Sequence, residues 1–255
     1  MKNASGKPVN AIQTTMAILK TLEDMGRAGV TEITNEVPAS KTTVYNHLTT
    51  LRQAGYVVKG DRDQYQIGLR FLETARAAKR RYPIRDVVEK ELENLADQTG
   101  EIAHFGVAEN GLAYNLTAKY GGKAVQTPFY EGYRTPMHVT AAGKAILAAR
   151  TDEEVETYID EYGLQPQTEN SITNRDDLLE EIRSVREQGV AFNREENILG
   201  LVGVAVALTG TGDNVAGALC ILGPASRMSQ SELQEEYPEL LKRSANIIEL
   251  NSTEI

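Results

Sequence analysis

Between residues 29 and 68 the apolar positions change their rhythm. Val30, Ile33 and Val37 recur at intervals of three and four, one face of a short helix that Pro38-Ala39 ends. Ser40 then offers an N-cap to residues 41–54, where Val44, Leu48 and Leu51 share a face, and Gly55 closes the segment. Beyond it, Tyr56-Val57-Val58-Lys59, a Gly60-Asp61-Arg62-Asp63 turn and Gln64-Tyr65-Gln66-Ile67 alternate with period two, a hairpin with a basic tip. Two short helices running into a charged hairpin predict a winged helix-turn-helix. With its apolar face inward, the second helix turns Lys41, Thr42, Tyr45, Asn46, Thr49 and Arg52 outward, the polar and cationic set that a major-groove helix needs. The plain alternative is a solvated helix face, and the adjoining hairpin argues against it. Asn46 is the candidate for a bidentate adenine contact, with Tyr45 and Thr42 on further bases or methyl groups. Lys41, Thr43 and Arg52 are placed on phosphates, Arg62 of the wing on backbone or minor groove, and Ser40 at the helix start completes the DNA-facing set.

The same reading extends outward. Residues 11–25 place Ile12, Met16, Leu19 and Leu22 at helical spacing, a first helix expected to rest on the other two and to serve a dimer; residues 1–10 read as a loose arm. Residues 69–82 are helical, rich in Ala and Arg and poor in core positions, until Pro83 breaks them: a linker helix. Residues 84–100 form an amphipathic helix with Val87, Val88, Leu92 and Leu95 on one side, opening a second domain. There Asn110-Gly111 joins strands 102–108 and 112–119 through a type I′ turn, and a Gly121-Gly122 turn follows. Thr140 caps a helix through Arg150, Thr151-Asp152-Glu153-Glu154 is a capping box, and 173–188 is a further helix closed by Gly189. Strands 201–208 and 215–222 are joined by a 209–214 turn, and Ser229-Gln230-Ser231-Glu232 caps a last helix that Pro238 is expected to kink. The pattern predicts an α+β chain in three parts: a DNA-binding domain at 1–68, a linker helix at 69–83, and a domain at 84–255 with helices against a mainly antiparallel sheet.

Charge divides the chain at the same place. Residues 1–81 hold 13 Lys and Arg against 7 acidic residues, +6, and residues 82–255 hold 14 against 29, −15, which gives the total of −9. A cationic N-terminal part beside an anionic remainder implies that only the first touches phosphate. A saline cytoplasm would also favour an acidic surface, but a pI near 5 is common in ordinary cytosolic proteins too. Cys220 is the only cysteine, which excludes an intrachain disulfide and a multi-cysteine metal site. No apolar run approaches a bilayer span and the N-terminus has no signal-peptide pattern, so a cytoplasmic protein is expected.

An enzyme would need a nucleophile with its base, a metal cluster or paired carboxylates in one cleft; three scattered histidines and one cysteine offer none. Glu195-Glu196 would point to opposite sides of a strand. Gly143-Lys144 resembles part of a phosphate loop, but His138 and Ala145 stand where that loop needs Gly and Ser or Thr, so Lys144 is read as a support of the fold. Gly210-Thr211-Gly212 lacks a following helix and a third glycine and reads as a turn. His104 within a strand and Cys220 in an apolar strand read as core residues. His138, just before a helix start where the N–H groups of Ala142 and Gly143 favour an anion, is a candidate carboxylate ligand beside the commoner structural role.

These segments, in this order, resemble the IclR family of transcriptional regulators along nearly the whole chain. The resemblance is carried by residues 29–68 with Lys41-Thr42-Thr43-Val44-Tyr45-Asn46-His47-Leu48, by Gly132-Tyr133-Arg134-Thr135-Pro136-Met137-His138-Val139-Thr140-Ala141-Ala142-Gly143-Lys144-Ala145, and by Gly189-Val190-Ala191-Phe192-Asn193-Arg194-Glu195-Glu196 with Leu199-Gly200, Gly223-Pro224 and Arg227. It implies a GAF-like effector domain that binds a small organic molecule, and dimers or tetramers on palindromic double-stranded operators, with no cofactor. It also implies a pocket that includes Ala141, Ala142, Asn193, Leu201, Gly203, Cys220 and Leu222, with His138 beside it. Asn193, Gly203, Cys220 and Leu222 depart from the family's usual residues, so fewer polar handles and a larger or more apolar effector, such as an aromatic acid, are expected. The alternative is a DNA-binding architectural or partner-controlled protein that has lost its effector.

Overall fold

The computed structural model describes residues 7–209 and 215–252; most of the expected arm, at 1–6, and of the 209–214 turn lies outside the described residues. The chain divides into two compact units that meet between Arg81 and Tyr82.

In the N-terminal unit, α1 (Asn10–Met25), α2 (Val30–Glu36) and α3 (Lys41–Gln53) precede a two-stranded antiparallel wing of β1 (Val57–Lys59) and β2 (Tyr65–Ile67). Ser40 Oγ accepts the Thr43 N–H at 3.1 Å and starts α3. Val44 and Leu48 of α3, Ile33 of α2, Ile18 and Leu22 of α1, and Val57 and Tyr65 of the wing bury together as one core. The inward face of α1 is in part the expected one, since Leu22 is buried and Leu19 packs against this core. Ile18 and Leu22 supply it, while Ile12 and Met16 stand 56% and 59% exposed. Where the strands end, Asp61–Asp63 form a 3-10 turn with Arg62 at φ 56°. Beyond the wing, α4 (Phe71–Lys79), the helix expected as a linker, falls within the N-terminal unit; it buries no residue fully, and Tyr56 meets the Phe71 ring edge-on at 4.8 Å.

The C-terminal unit opens with α5 (Arg85–Thr99), which buries Val88, Leu92 and Leu95. A hairpin of β3 (Ile102–Glu109) and β4 (Leu112–Tyr120) follows, with Asn110 at φ 51° and Gly111 at φ 73°, the positive angles that a type I′ turn requires. Then come β5 (Arg134–Pro136), α6 (Ala141–Ala148), α7 (Asp152–Tyr162), α8 (Arg175–Gln188), β6 (Ala191–Arg194), β7 (Leu201–Thr209), β8 (Val215–Pro224) and α9 (Tyr237–Ser252). The six strands make one antiparallel sheet in the order β5-β4-β3-β8-β7-β6, so its two edges are strands of three and four residues. Thr151 and Glu154 close the capping box that opens α7. Ser229 and Glu232 exchange the same pair of bonds before α9. Between that cap and α9 the chain makes a π turn, Glu232–Glu236, whose closing bond runs from the Tyr237 N–H to the Glu232 carbonyl. Pro238 follows directly on this π turn, inside a helical run that starts at Gln230, so the irregularity expected of the proline lies just before it.

The two sheet faces are covered differently. Phe105, Val107, Val204, Val206, Leu219 and Ile221 pack against α5 and α9. On the other face α6 lies buried from Ala141 to Leu147, with α7 and α8 outside it. Gly143 permits this, because a Cβ there would overlap the Met137 backbone in the 3-10 turn Met137–Val139 that leads into α6.

Candidate functional site

Two places hold the residues that the sequence singles out. The first is the outer side of α3. Because Val44 and Leu48 face inward, Lys41, Thr42, Tyr45, Asn46 and Arg52 are exposed, Tyr45 at 52%, and Thr43 and Thr49 are half-buried. The Ser40 and Thr43 hydroxyls lie 2.8 Å apart, so both are tied to the start of the helix. At the wing, Lys59 pairs with Asp63 at 2.6 Å, which holds the Asp63 carboxyl below its usual range and the Lys59 amine above its own. The tip is therefore less basic than the sequence implies, and Arg62 is left exposed between two aspartates. Thr15 of α1 meets His47 Nδ1 of α3 at 2.8 Å, fixing the back of α3.

The second place is a small cavity in the C-terminal unit, between the α6 side of the sheet and the segment before α6. Ala141, Ala142, Asn193, Gly203, Cys220 and Leu222 line it. Leu201 and His138 do not. Leu201 packs with Ile102, Phe129 and Leu222. The His138 ring is buried away from the cavity, with Nδ1 2.9 Å from the Tyr158 hydroxyl and Nε2 3.2 Å from the Gln165 carbonyl. Burial lowers its pKa, partly opposed by the Gln165 carbonyl, and burial pushes Tyr158 up to about 12. At the α6 start, the Gly143 N–H is taken by Thr140 Oγ1 at 3.0 Å, so Ala141 and Ala142 supply the N–H groups that remain at this end.

The polar side of the cavity comes from residues not expected there: His104, Asn115, Tyr133, Thr135 and Asn197, with the Phe129 ring among them. The lining as a whole is mostly apolar, as expected, and its hydroxyl-bearing and amide groups stand on β4, β5 and the loop after β6. The Thr135 hydroxyl donates to Asn197 Oδ1 at 3.0 Å, and Asn193 Oδ1 accepts the Glu196 N–H at the same distance. His104, read from sequence as core, does stack edge-on against Phe129 at 4.5 Å but also faces the cavity. Burial lowers its pKa to about 3 and raises that of the Cys220 thiol, so both are neutral at pH 7. No charged side chain lines the cavity among the described residues.

Charge lies one layer behind. Lys144 of α6, fully buried, donates to Glu196 at 2.6 Å and to Glu181 of α8 at 2.9 Å. Burial raises the Glu181 pKa, but the charge and hydrogen bond of Lys144, with Arg194, outweigh it and hold the carboxyl below its usual range. Glu196 also accepts the Arg194 N–H through Oε2. It is not a strand residue opposed to Glu195, as its sequence neighbourhood implies. Glu195 takes φ 65° just after β6 and turns the chain, so the Glu196 carboxylate reaches Lys144.

Comparison with known proteins places both units. Residues 11–61 match the IclR helix-turn-helix domain and residues 76–250 the bacterial transcriptional regulator IclR C-terminal domain. The chain is 30% identical over 251 residues to a protein of Halobacterium salinarum named as a probable HTH-type transcriptional regulator, ArcR, covering 97% of this chain and 95% of that protein. It superimposes on the Thermotoga maritima IclR crystal structure with a TM-score of 0.80 at 27% identity, over 95% of this chain and 98% of that one. An IclR homologue from Microbacterium hydrocarbonoxydans, solved in complex with 4-hydroxybenzoate, superimposes with a TM-score of 0.82 at 19% identity, over 96% and 100% of the two chains.

Proposed function

The chain belongs to the IclR family of transcriptional regulators, and on that premise we propose that it recognises a specific operator through α3 and is controlled by a small organic acid held in the C-terminal cavity. The outer face of α3 carries this reading: an exposed amide, phenol, hydroxyl and two cations stand on a helix whose other side is fixed by Val44, Leu48 and the Thr15–His47 contact. Asn46 is assigned the bidentate adenine contact, Tyr45 and Thr42 further base contacts, and Lys41, Thr43, Arg52 and Arg62 the phosphates, with Ser40 setting the helix start. Two copies of the chain, or two such pairs, would meet a palindromic site, and effector occupancy would change DNA affinity through α4.

For the effector, the uncharged lining and the Ala141 and Ala142 N–H groups at the start of α6 favour an anion with an apolar body over a polyanion. The M. hydrocarbonoxydans homologue, crystallised with an aromatic acid, is in keeping with that chemistry. As an IclR-family regulator, the protein is not an enzyme. Among the described residues no helix is long and apolar enough to cross a membrane.

The test is equilibrium binding of the full chain to its own upstream DNA and to scrambled DNA across a salt series, wild type beside Asn46→Ala. The expected loss for the variant is about 1–3 kcal/mol on the true site, with an unchanged salt slope. Equal losses on both DNAs would assign Asn46 to the backbone, and equal binding of both DNAs by the wild type would end the sequence-specific reading.

A further inference from the structure

We propose that Arg70 is the positioning residue that fixes α3 against α4, and that sequence-specific DNA contact by α3 depends on it. The inference rests on the operator reading of α3 and adds the residue that holds that helix at its angle.

Arg70 breaks a local rule. It stands at the N-cap of α4, a place that favours Ser, Thr, Asp or Asn, and its side chain makes no capping bond there. A cation at that end is also opposed by the helix dipole, with Glu73 of the first turn, 3.9 Å away, to offset it. The guanidinium serves the preceding helix instead. At the end of α3 the Thr50, Leu51 and Arg52 carbonyls accept the Ala54, Tyr56 and Gly55 N–H groups at 2.9, 2.9 and 3.0 Å. The Ala54 carbonyl, which closes the helix, accepts from Arg70 Nη1, 16 positions further along the chain.

The surrounding backbone is shaped to this contact. The Arg70 guanidinium lies 5.3 Å from the centre of the Tyr56 ring, and that ring meets Phe71 of α4 edge-on. The Arg70 stem crosses Gly55, where φ is 77° and a Cβ would lie 3.4 Å from Arg70 Cδ. At Gly68 a Cβ would fall 2.5 Å from the Gly55 carbonyl oxygen, so glycine is what lets the chain leaving the wing press on the chain leaving α3. The Gly68 N–H donates to the Tyr56 carbonyl at 2.8 Å. The Arg70 side chain is 51% exposed, so its ion pair with Glu73 contributes little, and the carbonyl and ring contacts hold the joint. A planar guanidinium stacks on a ring and donates in its own plane at once, which an ammonium does not.

A bidentate contact such as the one assigned to Asn46 works only at a set helix angle, whereas attraction to phosphates carries no such demand. Loosening α3 at Ala54 therefore weakens the operator complex and spares binding to random DNA. In this arrangement a displacement of α4 carries α3 with it.

Equilibrium binding of the full chain to its own upstream DNA and to scrambled DNA, across a salt series, tests this with Arg70→Gln and Arg70→Lys. Arg70→Gln is expected to lose about tenfold on the upstream DNA and less than about twofold on the scrambled DNA, with the salt slope unchanged. Arg70→Lys, which still reaches a carbonyl but does not stack, should recover part of the loss. Because Arg70 acts through the placement of Asn46, Arg70→Gln combined with Asn46→Ala should lose little more than Asn46→Ala alone. Thermal unfolding identifies a variant that fails to fold, and Arg70→Lys then carries the comparison with wild type. Equal losses on both DNAs would overturn the inference, making Arg70 a phosphate contact if the salt slope falls by about one and a support of folding if it does not. So would a preference that Arg70→Gln keeps in full, or losses that add in the double variant. Equal binding of both DNAs by the wild type would overturn the operator reading itself, and this inference with it.

Discussion

The face of the sheet beneath α5 and α9 is filled by Phe105, Val107, Val202, Val204, Val206, Leu208, Leu219 and Ile221, whereas the face beneath α6 carries Gly106, Ala113, Gly203, Ala205, Ala218 and Cys220. Both sets come from the same strands, alternating residue by residue. The large set fills the space up to the covering helices and leaves a closed interior. The small set lets α6 lie close against the strands and leaves a cavity beside its first turn. One sheet therefore serves stability on one side and accessible volume on the other.

Replacements on the two faces test that contrast. Phe105→Ala should cost about 3–5 kcal/mol in urea unfolding of the C-terminal unit, the range for a fully buried aromatic ring. The α6 face should be equally sensitive at one point. Lys144→Met leaves buried Glu196 without its cation and Glu181 with Arg194 alone, at about 3–5 kcal/mol, and Lys144→Met with Glu196→Gln should recover part of it. A loss below about 1 kcal/mol for the single variant would show the ion cluster to be well solvated. Gly106→Ala places a Cβ 2.7 Å from that of Ala142, so α6 must retreat, at about 1–3 kcal/mol. Unchanged stability would mean that the small residues are not what lets α6 approach.

The remaining effect is in pH. The folded His104 pKa of about 3 lies below its ordinary 6.5, so between those values the unfolded chain binds a proton that the folded chain excludes. Stability should fall as pH drops through that window, by at most about 1.4 kcal/mol per pH unit from this group. Paired unfolding curves of wild type and His104→Leu should diverge by that slope, with His138 acting in the same direction in both. Parallel curves would place His104 in contact with water.

What was legible in the sequence follows the same division. The helix-turn-helix, the wing, the Asn110-Gly111 hairpin and the Thr151 capping box are set by neighbours within a few residues, and each lies where the local pattern predicts it. Along α1 the C-terminal half of the expected face, Leu19 and Leu22, packs inward with Ile18, while Ile12 and Met16 stay outside. The polar wall of the cavity is not set by any one local pattern. His104, Asn115, Thr135 and Asn197 come from β3, β4, β5 and the loop after β6, and only the sheet order brings them together. Lys144 was read as structural without a partner in view, since Glu181 and Glu196 lie 37 and 52 residues away in the chain.

The open sheet also has ends, and their brevity matters beyond the fold. β5 is three residues long and includes Arg134 and Pro136, and β6 is four, closing on Arg194, whose guanidinium lies 4.9 Å from the centre of the Phe192 ring. Unpaired strand edges are templates on which another chain can add a strand, and short edges broken by proline or carrying fixed charge are poor ones. Resistance to edge-to-edge aggregation is thus written into the two shortest strands of the sheet.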